Sequence, residues 1–132
     1  MKTLESITTS LEVSKKLDKA LKSAGIKVEP LFWWLEYVEY QRNSNKEIYY
    51  WGIYRESEGI ICNEYRNKVP ALTASEIGEI LKKYEMECIW FEEKNSWGCY
   101  QTCKPECFYS DTEADSRALM LCYLIDNQLL KK

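Results

Sequence analysis

Three stretches of the chain repeat apolar residues every three or four positions, the spacing that places side chains on one face of a helix. This pattern predicts helices over Ser10–Ala24, Ala74–Tyr84 and Thr112–Leu130. In the middle of the third stretch the apolar arc widens, which indicates burial on most sides. The chain is therefore predicted to have one helix near each end and one in between.

Each predicted helix is preceded by residues that can cap it. A capping box pairs a Ser or Thr with a Glu three positions later, so that both satisfy backbone amides at the start of the helix. The segments Thr9–Glu12 and Thr73–Glu76 have this form. The third helix has two alternative starts, with Ser110 or Thr112 as the cap. Gly25 suits the left-handed position that follows the first helix.

The segments Leu31–Tyr40 and Glu47–Arg55 are rich in aromatic and β-branched residues, which fit a pleated, half-buried surface. The polar residues 41–46 between them have turn chemistry. The two segments therefore predict a β-hairpin. Residues 60–62 are a candidate for a short third strand.

A second hairpin is predicted from Met86–Glu93 and Trp97–Thr102, which flank a polar turn. Residues 103–111 are predicted to form a loop, because Pro105 interrupts them. The element order is then α-β-β-(β)-α-β-β-α. Antiparallel hairpins packed with helices predict a single α+β domain over residues 1–132, with four to five strands.

The first hairpin holds half of the aromatic residues, nine of 18, between Phe32 and Tyr54. Both of its faces are largely apolar, and one face of a two-stranded ribbon cannot bury so many rings. The positions predicted to lie in the core are Leu31, Trp33, Leu35, Trp51 and Ile53. The predicted interface set is Trp34, Glu36, Tyr40, Tyr50 and Tyr54. Trp and Tyr are typical anchors of binding hot spots, so this set is the first candidate for a functional surface.

Glu36 belongs to the predicted interface set because it is a carboxylate on a mostly apolar face. A buried carboxylate without a partner would destabilise the fold. Glu36 therefore either pairs with a cation such as Arg42 or Arg55, or marks a face that is open to solvent.

The composition is that of a folded cytoplasmic protein. The chain has 132 residues, 45% of them apolar, which is enough for a hydrophobic core. Its net charge of −3 argues against general binding to polyanions. No apolar run approaches the roughly 20 residues that cross a bilayer, and the first residues lack the apolar segment of a signal peptide. We therefore predict a cytoplasmic location and no membrane partner.

The chain contains no histidine. This absence removes the commonest general base and the commonest metal ligand. Neighbouring glutamates such as Glu92 and Glu93 stand in no recognisable catalytic motif. We therefore predict that the protein is not an enzyme and uses no cofactor.

Three cysteines, Cys99, Cys103 and Cys107, recur every four residues. Thiolates bind zinc and iron–sulfur clusters, but closed zinc sites favour pairs with two residues between the cysteines. A fourth ligand would have to come from Cys62, Cys88 or Cys122. The three residues are therefore weak metal candidates, and free thiols are the favoured interpretation.

Lys15, Lys19 and Lys22 share one side of the first predicted helix. Basic groups beside aromatic strands are typical of proteins that bind single-stranded nucleic acids. The acidic residues Glu12 and Asp18 dilute this patch, so a solvated helix face is the favoured interpretation.

Several pieces of the chain together carry a family resemblance. These pieces are residues 12–26, 30–34 and 69–81, the second hairpin, and residues 112–130. In this order they resemble a family of small bacteriophage and prophage proteins that has no established activity. Cys103 and Cys107 depart from the family pattern. The resemblance implies a phage-associated cytoplasmic protein with this α+β layout, and it implies no catalytic residue.

The sequence thus favours a non-enzymatic binding protein that acts by protein–protein contact through its aromatic hairpin. The partner is either a second copy, which would make a homodimer, or a host or phage protein. The alternative is a nucleic-acid-binding accessory protein that uses Lys15, Lys19 and Lys22 together with exposed aromatic residues.

Overall fold

The computed structural model describes residues 7–41, 46–55, 65–102 and 104–130, of which 38–41 and 65 are described as backbone only. Within these ranges the helices are α1 (Leu11–Ser23), α2 (Ala74–Leu81) and α3 (Glu113–Asp126). The strands are β1 (Phe32–Gln41), β2 (Lys46–Arg55), β3 (Tyr65–Pro70), β4 (Met86–Phe91), β5 (Ser96–Gln101) and β6 (Cys107–Ser110).

The strands form two antiparallel sheets of three strands each. Sheet 1 has the order β2-β1-β3, and sheet 2 has the order β4-β5-β6. Together with the three helices they make an α+β arrangement, which confirms the predicted fold class. The described residues hold six strands, so the expected number of four to five was too low.

Two of the predicted helix caps are confirmed. Thr73 caps α2 in a complete capping box with Glu76, because each side chain accepts a hydrogen bond from the other residue's backbone N–H. Thr112 caps α3 by accepting a hydrogen bond from the N–H of Asp115. The structure thus decides between the two alternative starts of the last helix.

The cap of α1 is Ser10, and the prediction of Thr9 was wrong. The Ser10 hydroxyl accepts a hydrogen bond from the N–H of Val13. Thr9 is fully buried, and its hydroxyl is hydrogen-bonded to the hydroxyl of Ser14. Its N–H donates to the carbonyl of Leu72. Thr9 therefore ties the start of α1 to the segment before α2.

Two strands, β3 and β6, and the end of the last helix differ from the prediction. The candidate strand at residues 60–62 lies outside the described residues, and β3 lies further along the chain. The loop predicted for 103–111 contains β6, because Pro105 precedes the strand and does not interrupt it. The last helix ends at Asp126, since Gln128 adopts a left-handed conformation with φ of 56°.

The main core lies between the three helices and the inner face of sheet 2. Helix α3 is at its centre and contacts both other helices and all three strands of that sheet. The largest fully buried side chains of this core are Leu17, Leu72, Ile77, Met120, Leu121 and Leu124. None of the described residues of β1 and β2 belongs to it. Sheet 1 therefore stands largely outside the main core.

Within the described ranges, every helix is too short or too polar to cross a membrane.

Candidate functional site

The pairing of β1 with β2 decides which aromatic side chains share a face. The two strands pair over their full length, from Phe32 opposite Arg55 to Gln41 opposite Lys46. Residues directly opposite each other lie on the same face of a sheet. Every opposite pair joins an even position to an odd one, so odd residues of β1 share a face with even residues of β2.

One face of sheet 1, called here the outer face, is made by an aromatic cluster. Its residues are Trp33, Leu35, Tyr37, Ile48, Tyr50, Gly52, Tyr54 and Lys68. The Tyr37 ring lies 5.1 Å from the Tyr54 ring and 5.9 Å from the Tyr50 ring, measured between centroids. The Lys68 ammonium lies 4.6 Å from the centre of the Trp33 ring. The rings thus pack against one another within the sheet.

The packing on the outer face produces one buried side chain and several exposed ones. Leu35 is only 1% exposed, although it lies outside the main core. Tyr50 is 46% exposed, and Ile48 beside it is also exposed. Among the described elements, α1 is the helix whose backbone comes close to sheet 1, and it does so along β3. The outer face is therefore a surface of partly exposed tyrosine and tryptophan rings.

The opposite face, called here the helix-side face, is held against the N-terminal part of α1. The Trp34 indole donates a hydrogen bond of 3.0 Å from Nε1 to the carbonyl of Thr9. The Lys15 ammonium lies 5.0 Å from the centre of the Trp51 ring, in a cation–π contact. These contacts fix the orientation of sheet 1 relative to α1.

The structure divides the predicted interface set between the two faces. Tyr50 and Tyr54 lie on the outer face, whereas Trp34 and Glu36 lie on the helix-side face. The side chain of Tyr40 lies outside the described residues, although its backbone belongs to β1. The set is therefore not a single surface.

Glu36 finds a partner other than the two cations considered from the sequence. Its Oε1 accepts a hydrogen bond of 2.8 Å from the side-chain amide of Asn67 on β3. Arg55 instead stacks on the ring of Phe32, at 5.6 Å from its centre. Arg42 lies outside the described residues. Glu36 is thus satisfied on the rim of an open groove.

The predicted core positions of the first hairpin are only partly correct. Leu35 is buried, but Leu31 is 57% exposed and precedes β1, so its assignment to the core was wrong. Trp33, Trp51 and Ile53 are half-buried and divided between the two faces. Trp33 and Trp51 were both predicted for the core, which implies one shared face and is an error of one residue in the register. Such an error moves a side chain to the other face of the sheet.

Strand β2 forms one edge of sheet 1, and its first half is exposed. Among the described elements it pairs with β1 alone. Its first five residues are all exposed. An edge strand carries unpaired backbone N–H and C=O groups that can pair with another chain. Neither the edge nor its exposure follows from hydrophobic alternation, which was the only signal available in the sequence.

The predicted lysine patch is only partly assembled. Lys15 and Lys22 line an open groove of about 540 Å³ between α1 and sheet 1, whereas Lys19 does not. Lys22 is held by a salt bridge of 3.0 Å to Asp18. The groove is also lined by Glu36, Trp51, Arg66, Asn67, Lys68 and Val69. The Lys68 ammonium lies over Trp33 on the outer face, so Lys15, Lys22 and Arg66 against Asp18 and Glu36 give the groove an excess of one positive charge.

Of the three cysteines proposed as weak metal candidates, the two that the structure describes do not converge. Cys99 lies opposite Phe108, and Tyr100 lies opposite Cys107, so Cys99 and Cys107 point to opposite faces of sheet 2. Cys103 lies outside the described residues. In the described part of the chain, no group of three or more His, Cys, Asp or Glu residues is close enough to hold a metal ion.

Comparison with protein-family models, curated proteins and solved structures finds no significant match to this chain. The resemblance to phage and prophage proteins stays a prediction.

Proposed function

We propose that this protein is a non-enzymatic binding protein that acts by protein–protein contact, and that its partner at the edge of sheet 1 is a second copy of the same chain. The observation that carries the proposal is the exposed edge strand β2 next to the aromatic outer face. A cytoplasmic location and an origin in a bacteriophage or prophage belong to the same proposal.

The chemistry of the outer face supports a role in binding. Tyrosine and tryptophan bury large areas at low entropic cost and dominate the binding energy of many interfaces. Tyr37, Tyr50 and Tyr54 are already positioned by their mutual ring contacts. A partner therefore meets a preorganised surface, which lowers the cost of association.

The charges on β2 favour a second copy as the partner. Two β2 strands that pair antiparallel around Trp51 place Glu47 of each chain opposite Arg55 of the other. Both residues lie on the same face of the strand, since they are eight positions apart. Opposite charges directly across from each other stabilise antiparallel pairs. The pairing is self-complementary, as a two-fold dimer requires, and it joins the two outer faces into one surface.

A charge-swap experiment tests this arrangement. Arg55→Glu places two carboxylates opposite each other at both ends of the contact, and Glu47→Arg places two cations there. Each single variant is expected to weaken dimerisation by about 2 kcal/mol, roughly 30-fold in Kd, because two attractive pairs become repulsive. Sedimentation velocity at several concentrations measures this change.

Two further samples distinguish the proposed pairing from a general effect of charge. The double variant Glu47→Arg/Arg55→Glu and an equimolar mixture of the two single variants both restore the opposite charges, so both are expected to dimerise. Lys94→Glu, an equal change of sign on the exposed turn of sheet 2, is expected to have no effect. A wild-type chain that stays monomeric at high concentration contradicts the second-copy proposal. In that case, a different protein that protects β2 from hydrogen exchange would still support a binding role.

The groove between α1 and sheet 1 favours a second candidate function, binding of single-stranded nucleic acid. It combines an excess of positive charge with the ring of Trp51. Cationic grooves with aromatic side chains bind single strands by charge and by stacking of bases. The overall charge of −3 opposes such binding over the rest of the surface.

Binding of labelled single-stranded DNA tests the second candidate. Lys15→Glu removes a cation from the groove, whereas Lys19→Glu changes the same charge on an exposed residue that does not line it. Binding in the groove predicts a larger loss of affinity for Lys15→Glu, and an affinity that falls with salt concentration. Equal losses for the two variants would show that only general electrostatic attraction is at work.

A further inference from the structure

Sheet 2 brings together two cysteines that the sequence spacing keeps apart. Cys88 on β4 lies directly opposite Cys99 on β5, so both side chains point to the same face. Cys99 is buried and Cys88 is partly accessible. Both are free thiols in this structure.

The hydrogen-bond pattern of the hairpin gives this pair the geometry of a cross-strand disulfide. The N–H of Thr102 donates to the carbonyl of Glu85, which lies opposite it in the same register. Hydrogen-bonded and non-hydrogen-bonded pairs alternate along an antiparallel ladder, so Cys88 and Cys99, three steps further on, form a non-hydrogen-bonded pair. The Cα atoms of such pairs are about 4.5 Å apart, within the range of about 4.4–6.8 Å that a disulfide spans.

The two thiols line a cavity of about 190 Å³ between sheet 2 and helices α2 and α3. A water molecule takes up about 30 Å³, so the cavity has room for a small peroxide. Arg117 lines the same cavity, with one Nη atom 2.7 Å from Glu113 and the other 3.3 Å from the carbonyl of Ala74. Its buried Nε–H has no hydrogen-bond partner among the described residues. The cavity lining therefore includes a cation as well as the two thiols.

The surroundings make the two sulfur atoms unequal. The neighbouring Cys99 thiol lowers the pKa of Cys88 to about 7, the Ser116 hydroxyl at 3.6 Å and the Arg117 charge act in the same direction, and burial opposes them. The neighbouring Cys88 and burial raise the pKa of Cys99 above its usual value. Cys88 is thus the more acidic thiol of the pair and the one that ionises first.

We propose that Cys88 and Cys99 form a dithiol site that a hydroperoxide oxidises to a cross-strand disulfide, with Cys88 as the attacking sulfur and Cys99 as the resolving one. This site is separate from the proposed contact at β2, and neither proposal depends on the other.

The reaction balances in two steps. The Cys88 thiolate attacks the outer oxygen of the hydroperoxide, an S–O bond forms, the O–O bond breaks, and the leaving alkoxide or hydroxide takes a proton. Cys88 is then a sulfenic acid. The Cys99 sulfur attacks the Cys88 sulfur, an S–S bond forms, and the hydroxyl leaves with the proton of Cys99 as water. Two thiols and one hydroperoxide give one disulfide, one alcohol or water, and one further water, and a small dithiol reverses the change by exchange.

Peptide mapping tests the proposal directly. Trypsin cleaves after Lys94, so Cys88 and Cys99 fall on different peptides. In the background Cys103→Ser/Cys107→Ser, Cys99 is the single cysteine of its peptide. The reduced protein is treated with one equivalent of hydrogen peroxide, its free thiols are blocked, and the digest is analysed by mass spectrometry. The expected result is a linked pair of peptides, the loss of two free thiols, and an unlinked Cys122 as the internal control.

Two further measurements complete the test. In the Cys99→Ala variant the linked pair is expected to disappear, and a sulfenic-acid trap is expected to label Cys88. The alkylation rate of Cys88, followed against pH in the unsubstituted protein, is expected to have its midpoint near 7. A Cys88 that stays reduced while another cysteine is oxidised would overturn the proposal. So would disulfides that link two chains, which a non-reducing gel detects.

Discussion

Sheets 1 and 2 are both antiparallel, three-stranded and rich in aromatic residues, yet they differ in what covers them. The inner face of sheet 2 packs against α3 and contributes Cys99 to the main core. Sheet 1 meets α1 along β3, and its outer face is covered by its own rings alone among the described contacts. Aromatic density therefore does not by itself indicate burial, because burial depends on the helix that lies over the sheet.

The candidate chemistry follows the same division. Sheet 2 places a pair of thiols and a cation around one cavity between the sheet and the helices. Sheet 1 presents tyrosine rings and an unpaired strand edge to solvent. The first environment suits a reaction of small molecules, and the second suits contact with a macromolecule. Four predictions test how far this contrast holds.

The largest expected difference is between two buried leucines. Leu121→Ala in the main core is expected to lower the free energy of unfolding by about 3–5 kcal/mol, because the surrounding side chains cannot collapse into the cavity. Leu35→Ala in sheet 1 is expected to cost about 2 kcal/mol, the lower end of such substitutions, because the exposed rings above it can move. Urea denaturation of both variants measures the difference. Equal losses would show that sheet 1 is packed as tightly as the main core.

The next comparison uses one glycine from each sheet. A Cβ at Gly98 would lie 2.6 Å from the Phe91 ring and 3.0 Å from the Tyr109 ring, which pack on the outer side of sheet 2. A Cβ at Gly52 would lie 3.0 Å from the Tyr54 ring, its nearest neighbour. Gly98→Ala is therefore expected to cost about 1–3 kcal/mol of stability and Gly52→Ala less than that. Thermal unfolding checks the order, and a larger loss for Gly52→Ala would mean that Tyr54 cannot move.

A third comparison uses two neighbouring tryptophans on opposite faces of sheet 1. Trp34→Phe removes the hydrogen bond to Thr9 and is expected to cost about 1 kcal/mol. The Nε1 of Trp33 is buried without a hydrogen-bond partner among the described residues, so Trp33→Phe is expected to be nearly neutral. Urea denaturation measures both. A larger loss for Trp33→Phe would show that its indole has a partner in solution.

The smallest expected effect concerns the pH dependence of the contact between the start of α3 and the start of α1. Burial raises the pKa of Asp115 above its usual 3.8, although a hydrogen bond of 2.7 Å from the Ser10 N–H opposes the shift. The folded state then binds the proton more tightly than the unfolded state. The contribution of Asp115 to the free energy of unfolding is therefore complete below pH 3.8. It is lost as the pH rises through the raised pKa.

The variant Asp115→Asn cannot titrate at this position, so it is the control for the wild type. Relative to the variant, the wild type is expected to lose free energy of unfolding as the pH rises from 3.8. This loss levels off above the raised pKa. Urea denaturation at several pH values measures it. A difference that does not change with pH would contradict the raised pKa.

The helices were predictable because their signals are local. The apolar spacing and the caps at Thr73 and Thr112 depend on residues within one or two turns, and the structure confirms both caps. The cap of α1 was misplaced by one residue, because Thr9 is used in a buried contact with Ser14 and with a segment distant in sequence. Strand β6 was missed because it has four residues, too few for a periodic signal.

The candidate sites were less predictable, since both depend on strand register. A change of one residue in the pairing of β1 with β2 separates Tyr50 and Tyr54 from Trp34 and Glu36. The pairing of Cys88 with Cys99 is likewise invisible in the regular spacing of Cys99 and Cys107 along the chain. The signal that could have found it was the second hairpin itself, whose turn sets the residues that lie opposite.

The sequence by itself determined the α+β class, the three helices and the concentration of aromatic residues in the first hairpin, because each follows from patterns within a short segment. The tertiary structure alone decided which rings are covered, which strand is an edge and which thiols meet. These properties arise from the register between strands and from the position of α1 and α3 over the two sheets. They are set by contacts between residues far apart in the chain, which no local pattern encodes.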